Sequence, residues 1–376
     1  MAEHVPVPAG TRLGVRGIGP AALALFARPA GPQLRAVLAA LDDEPADAVL
    51  AEAAFLGADL LANLPRAGRP AVLVLGVLPL TCGGPGLAPF GAGLPPATGA
   101  LTRLRNAALG LLAQRVLLRG VERHLDAESR RSTGRPLPGE GFWDGPGRCD
   151  VFLQIGVPGL EHPRPGLERR VRFVGRPPAP PQPGPDPDRW PELDGRRVVH
   201  VTQGTEANAD PTALLVPTAA ALAEREDVLV VATAGGRPAA AVTGAVRARL
   251  GAVPANLRVE TWLDYARLLP RTDLVVTNGG WGGVTSALAH GVPLVVAGDS
   301  EDEPEVAARV AWSGAGVDLR TARPSVPALR AAVRTALDGP DHAAAARRLR
   351  AQFDAVDGFA VLDAALREVL AGAGAR

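Results

Sequence analysis

The chain has 376 residues, of which 44 are Gly and 37 are Pro, with 47% apolar residues and a formal net charge of +1. At roughly 150 residues per domain there is room for two or three domains, and an apolar share without any Gly period excludes disordered and collagen-like classes. The charges are balanced and interspersed and every basic residue is arginine, so no nucleic-acid partner and no acidic tail are expected.

In chain order, Met1–Gly10 lacks the basic start and apolar core of a secretory leader. Gly31–Leu41 reads as a helix, and Ala48–Ala51 and Ala71–Val77 as strands. Ala71–Leu80 is the longest apolar run and is too short to span a bilayer, so no transmembrane segment is expected. Pro79–Ala100 is a Gly/Pro-rich loop, and Thr102–Glu122 reads as a helix. Cys82 and Cys149 have neither metal-ligand spacing nor the density of a disulfide framework and read as incidental thiols. The setting implied is a soluble, cytoplasmic protein.

Arg176–Gly195, RPPAPPQPGPDPDRWPELDG, is too rich in proline for a helix or a central strand and predicts a stiff, extended linker. It separates a domain at 1–175 from a second at 196–355, with a last helix within 356–376. Beyond the linker, Val198–Thr202, Val228–Thr233, Leu257–Thr261, Leu274–Thr277 and Pro293–Val296 read as strands. Helices are expected at Pro211–Arg225, Ala239–Leu250, Val284–Ala289, Pro304–Trp312 and Pro327–Asp338. Strands apolar throughout and separated by helices predict a parallel sheet covered on both faces, a doubly wound α/β domain. Ligands bind such sheets at the carboxyl ends of the strands. The N-terminal half is patterned similarly, so two such domains would face a cleft.

The most informative segment is Leu274–Asp302, LVVTNGGWGGVTSALAHGVPLVVAGDSED. A buried strand runs into Asn278-Gly279-Gly280-Trp281-Gly282-Gly283 and then a helix. Four glycines let backbone N–H groups approach a ligand, and the helix N-terminus adds partial positive charge, so a pyrophosphate cradle is one reading. A strand–helix turn that merely needs glycine is the other. No lysine follows as in a Walker A loop, and the G-x-G-x-x-G spacing is absent.

This segment resembles the nucleotide-sugar donor motif of glycosyltransferase family 1, two-domain GT-B enzymes that include plant and antibiotic-tailoring members. The family pattern is His-x-Gly-x-x-[Ser/Thr], a Glu, Gly-x-Pro and Asp-Gln. Asn278 occupies the His position, Gly280 and Trp281 match, and Gly283 replaces Ser/Thr. Gly291-Val292-Pro293 follows in phase, and Asp302-Glu303 falls at Asp-Gln. Trp262 sits where the plant motif has a base-stacking Trp, and Val201–Thr205 is similar to the strand-end Gly-Ser/Thr that faces the diphosphate. The resemblance implies a GT-B fold of two Rossmann-like domains. It implies donor binding by Gly204, Thr205, Trp262, Asn278, Gly279, Gly280, Trp281, Gly282 and Gly283, with Asp302 and Glu303 at the sugar. Ser286 stands in place of the Glu that grips the ribose.

The implied reaction is inverting, metal-independent transfer from a UDP- or dTDP-sugar to a hydroxyl of a small hydrophobic acceptor, with no cofactor. The acceptor would face Pro79–Ala100, and a last helix near Gly358–Leu370 would cross back to the N-terminal domain. Ala51–Phe55 resembles the family's Ala-Asp-x-x-Phe, which nominates Glu52 as the carboxylate that orients a base His; a solvated or capping carboxylate is the alternative. The His itself is not found. Gly17-Ile18-Gly19-Pro20 has Pro where a Gly-x-Gly-His turn would carry it. His4, His124, His162, His200, His290 and His342 all read as surface or structural. The N-terminal domain is therefore expected to lack its first strand–helix–strand unit. The alternatives are an inactive nucleotide-sugar-binding homologue, a sugar-nucleotide epimerase and a purely structural or partner-binding protein.

Overall fold

The computed structural model describes residues 15–374 apart from 140, 168, 169, 179, 194 and 207. His4 and the reading of Met1–Gly10 lie outside the described residues. The described residues form two units, one from 15–177 with 355–374 and the other from 178–354.

The first unit is built on strands β1 (Ala48–Glu52), β2 (Ala71–Gly76), β3 (Val151–Gln154) and β4 (Val171–Phe173), all parallel in the order β1-β2-β3-β4. Side chains alternate across a strand, and the two faces separate accordingly. Val72, Val74 and Phe152 pack with Leu34 of helix Arg28–Asp43, Leu60 of helix Gly57–Ala62 and Leu125 of helix Arg119–Thr133. Leu73, Val151 and Leu153 take the other face, under Val361, Leu362, Ala365, Leu366 and Val369 of helix Gly358–Gly374.

The second unit holds β5 (Arg197–Thr202), β6 (Val228–Thr233), β7 (Leu257–Glu260), β8 (Leu274–Thr277), β9 (Leu294–Val296) and β10 (Gly316–Asp318). They pair in parallel in the order β10-β9-β8-β5-β6-β7. Val199, Val201, Val230 and Val276 face Leu215 and Leu222 of helix Leu215–Leu222 and Leu329 and Val333 of helix Val326–Asp338. Both units are thus parallel-sheet α/β domains, the architecture expected of the chain.

Several elements differ from expectation. Thr102–Glu122 is two helices, Ala100–Leu112 and Arg119–Thr133, joined through a wide π turn at Ala113–Leu117 and a break at Leu118. Gly17–Pro20, compared above with a turn, lies inside helix Val15–Ala22. Strands β3, β4 and β10 were not anticipated. The linker is not simply extended: Pro187–Arg189 and Pro191–Leu193 form short 3-10 turns, and Trp190 and Leu193 pack against Val198, Leu229 and Val231. The Arg258 guanidinium lies 3.7 Å over the Trp190 ring. Proline removes backbone donors but leaves aromatic and aliphatic neighbours free to bury.

Candidate functional site

From β5 the chain winds outward through β6 and β7 on one side, and from β8 through β9 and β10 on the other. The boundary between β5 and β8 is therefore the switch point, where the loops after the strands diverge and leave a crevice. Both strands end alike. Thr202 accepts the Gly204 N–H at 3.2 Å through its hydroxyl, and Thr277 accepts the Gly279 N–H at 3.2 Å. Gly204 (φ 67°) and Gly279 (φ 106°) have left-handed backbones that a side chain would strain. A Cβ on Gly204 would stand 3.9 Å from Asn278 Oδ1, so the two strand ends meet.

Helix Trp281–Ala289 starts immediately after, with Gly280 at its N-cap. It begins three residues before the expected Val284, which places Trp281, Gly282 and Gly283 in its first turn. The Trp281 side chain is buried, leaving its backbone as the part at the helix end. A Cβ on Gly280, Gly282 or Gly283 would meet nothing within 4 Å. Internal packing does not require those three glycines; they leave the helix N-terminus uncovered.

On the β8 side, Asn278 Nδ2 donates to Glu303 Oε1 at 2.7 Å. The other Glu303 oxygen accepts from the backbone N–H of Asp299 (3.0 Å) and Ser300 (2.9 Å) and from the Ser300 hydroxyl (2.8 Å). Glu303, expected at the sugar, is therefore engaged on both oxygens inside the protein, and burial raises its pKa. Asp302 differs: its Oδ2 is buried without a hydrogen-bond partner. Burial, reinforced by the charges of Glu301 and Glu303, pushes its pKa up to about 6. Glu301 before it takes a left-handed φ of 51°, a strain of about 1–2 kcal/mol for a residue with a side chain. Ser286 Oγ donates back to Gly282 O at 2.5 Å.

On the β6 side, the Trp262 ring lies against the turn after the strand. A Cβ on Gly236 (φ 91°) would fall 2.8 Å from Trp262 Cζ2, and the indole stays about a third exposed. Two residues that sequence reasoning passed over join this turn to the β5 end. Buried Asn208 donates from Nδ2 to Gly204 O (3.0 Å) and Gly235 O (2.8 Å), and its Oδ1 accepts from Arg237 Nε at 2.9 Å. Arg237 is exposed. An Asn in a polar loop after Gly-Thr carries no local signature of such a staple.

Residues 239–357 match the family described as erythromycin biosynthesis protein CIII-like, C-terminal domain. Over 366 residues the chain is 44% identical to 4'-demethylrebeccamycin synthase from Lentzea aerocolonigenes, covering 96% of this chain and 82% of that one. It is 32% identical to UDP-glucosyltransferase A1 from Starmerella bombicola, over 82% of this chain and 70% of that enzyme. The chain belongs to glycosyltransferase family 1. The solved structure of the kitacinnamycin glycotransferase shares the fold, with a TM-score of 0.67 at 23% identity over 96% of this chain and 82% of that one.

In this glycosyltransferase the fold brings Gly204, Asn278, Gly279, Glu303 and Asp302 to one end of the second unit's sheet, with the 280–283 turn beside them and Trp262 beyond the β6 turn. Thr205 is exposed beside Gly204. Glu52 belongs to the first unit, exposed at the carboxyl end of β1, and its carboxylate makes no hydrogen bond or ion pair among the described residues. His200 is a core residue. Its Nδ1–H donates to Val231 O at 2.9 Å, so Nε2 accepts from the Tyr265 hydroxyl at 3.1 Å. Burial lowers its pKa to about 4. His290 and His342 donate from Nδ1 to the carbonyls of Ser286 and Gly314, and His162 is buried. Burial pushes the free thiols of Cys82 and Cys149 up to about 11 and 12. Among the described residues no group of three or more His, Cys, Asp or Glu is placed to hold a metal, and no helix is long and apolar enough to cross a membrane.

Proposed function

We propose that this glycosyltransferase moves the sugar of a UDP- or dTDP-sugar to a hydroxyl of a small hydrophobic acceptor, in the cytoplasm, inverting the anomeric centre without a metal. The observation that carries the reading is the open glycine corner at the β5/β8 switch point. The diphosphate sits against the 280–283 turn, where the helix N-terminus contributes ~0.3–1 kcal/mol per nearby negative charge, up to ~2 when partly buried. Oriented backbone amides stabilise the leaving diphosphate as its charge develops. Asn278 has two amide hydrogens; Glu303 takes one and the second is left for phosphate. The Arg237 guanidinium, tethered at Nε, makes no other hydrogen bond among the described residues. Its terminal nitrogens supply the positive charge that Asn278 does not. Trp262 stacks on the base, and Asp302 accepts from a sugar hydroxyl.

On the first unit, a cavity of about 520 Å³ opens between the 81–90 loop and helix Ala100–Leu112. Phe90, Phe142 and Trp143 line it, with ring centroids 5.0 and 4.4 Å apart in the Phe90–Trp143 and Phe142–Trp143 pairs. We assign the acceptor to this apolar wall and give Glu52 the role of orienting the group that takes the acceptor proton. The name of the rebeccamycin relative fits an acceptor of natural-product type, and that of the yeast relative fits a UDP donor.

Titration calorimetry with UDP and with dTDP tests the donor site. Binding of at least one is expected, weakened about ten-fold by Asn278→Ala or Arg237→Ala, the loss expected for one hydrogen bond to a charged group. No heat with either nucleotide at millimolar concentration sinks the donor assignment. Incubation with UDP- or dTDP-glucose and phenolic acceptors, read by mass spectrometry, then separates transfer from binding alone.

A further inference from the structure

Helix Ala100–Leu112, extended by the turn Ala113–Leu117, faces solvent with the wrong kind of side chain. Leu101, Leu104, Leu111, Leu112 and Val116 are 84%, 69%, 53%, 48% and 65% exposed. Leu101, Leu104, Ala108 and Leu111 recur at helical spacing, so they form one stripe. The opposite side is anchored: Asn106 is buried and donates to Gly86 O at 2.8 Å. Charge on this segment is equally one-sided. No Asp or Glu occurs between residues 60 and 121. Arg103, Arg105, Arg115 and Arg119 are exposed, and none forms an ion pair among the described residues.

We propose that this face docks peripherally on an anionic lipid bilayer. A basic helix with an exposed leucine stripe places its leucines at the acyl boundary and its guanidinium groups at headgroup phosphates. A second copy of the chain fits less well, because two such faces would set arginines against arginines with no carboxylate between them. A nucleic acid would engage the arginines and leave the leucines wet. The attachment lies on the surface, since no helix among the described residues can span the bilayer.

The test is co-sedimentation of the full chain with vesicles of phosphatidylcholine alone and of phosphatidylcholine mixed with phosphatidylglycerol. Partition onto the mixed vesicles only is expected, falling as salt rises from 0.01 M to 0.15 M and the screening length shortens from ~30 to ~8 Å. Leu104→Ser with Leu111→Ser should lower partition at least about ten-fold, and each of Arg103→Gln and Arg115→Gln about five-fold. All four side chains are on the surface, and circular dichroism checks that the variants fold. The wild-type result stands on its own: no partition onto the mixed vesicles overturns the proposal. So does partition indifferent to these substitutions in folded variants. A dimer in sedimentation velocity that the leucine changes dissociate also overturns it and gives the face to a second copy.

Discussion

Asp302 keeps a buried carboxylate oxygen without a partner, and that has a measurable consequence for stability. Its pKa is 3.8 in an unfolded reference and about 6 in the fold. Between those values the folded chain binds more protons than the unfolded one, so stability falls as pH rises through the window. Above pH 6 the loss is complete, up to about 3 kcal/mol at 1.36 kcal/mol per pKa unit. Asp302→Asn removes the charge, so at pH 7 thermal unfolding of the variant should shift upward by several degrees. An unchanged or lower midpoint would show that the carboxylate is not strained. His200 acts with the opposite sign. Its pKa drops from 6.5 to about 4 on folding, so the unfolded chain takes the proton first and stability is lost as pH falls from 6.5 to 4. The two effects oppose each other over the same range. Urea titrations from pH 7 to 4 should therefore show a steeper acid loss in Asp302→Asn than in the parent chain.

The Gly/Pro-rich loop after β2 is held at its start by a buried ion pair. Glu161 accepts the Leu80 N–H at 2.8 Å and pairs with Arg164 at 3.2 Å, while Arg164 donates to Cys82 O (2.9 Å), Leu80 O (3.0 Å) and His162 O (3.0 Å). Both side chains are nearly fully buried. Arg164→Ala would leave the Glu161 charge in the interior without that partner and should cost about 3–5 kcal/mol. Urea unfolding reads the loss, and faster limited proteolysis within 80–100 reads the released loop; an unaltered midpoint contradicts the assignment. The sequence showed a loop here but not its anchor, because Glu161 and Arg164 are remote from Leu80 and Cys82 and no local pattern links them. Elements were legible where local pattern and burial agree. Strands β5, β6 and β8 are apolar runs between turn residues. Strands β4 (Val-Arg-Phe) and β10 (Gly-Val-Asp) have three residues each and lack the apolar run that marks the equally short β9. The start of helix Trp281–Ala289 was misplaced because Gly282 and Gly283 are poor helix formers in isolation. At the site, the glycine turn was readable from chemistry alone, whereas the engagement of Glu303 and the Asn208 staple depend on which strand ends the fold makes neighbours.

Chain order and spatial order part company at the C-terminus. Helix Gly358–Gly374 follows the second unit in sequence but covers the first unit's sheet, and Gly358 approaches so closely that a Cβ there would sit 2.4 Å from Val174 O. Val361, Leu362, Leu366 and Val369 lie over Leu73, Val151 and Leu153. A parallel sheet carries apolar side chains on both faces and needs cover on both. These four are partly buried, while Ala365 is fully covered, so removing the helix forfeits several kcal/mol, less than the roughly 1.5–3 kcal/mol per residue of fully buried side chains. A domain's whole stability is roughly 5–15 kcal/mol, so the loss is a large share of what holds the first unit together. The second unit has its own cores on both sheet faces. A chain ended at Asp354 should therefore show fast amide hydrogen exchange in β1–β4 while β5–β10 stay protected. Retained protection in β2 and β3, whose Leu73, Val151 and Leu153 lie under the helix, would mean that the sheet stands without it.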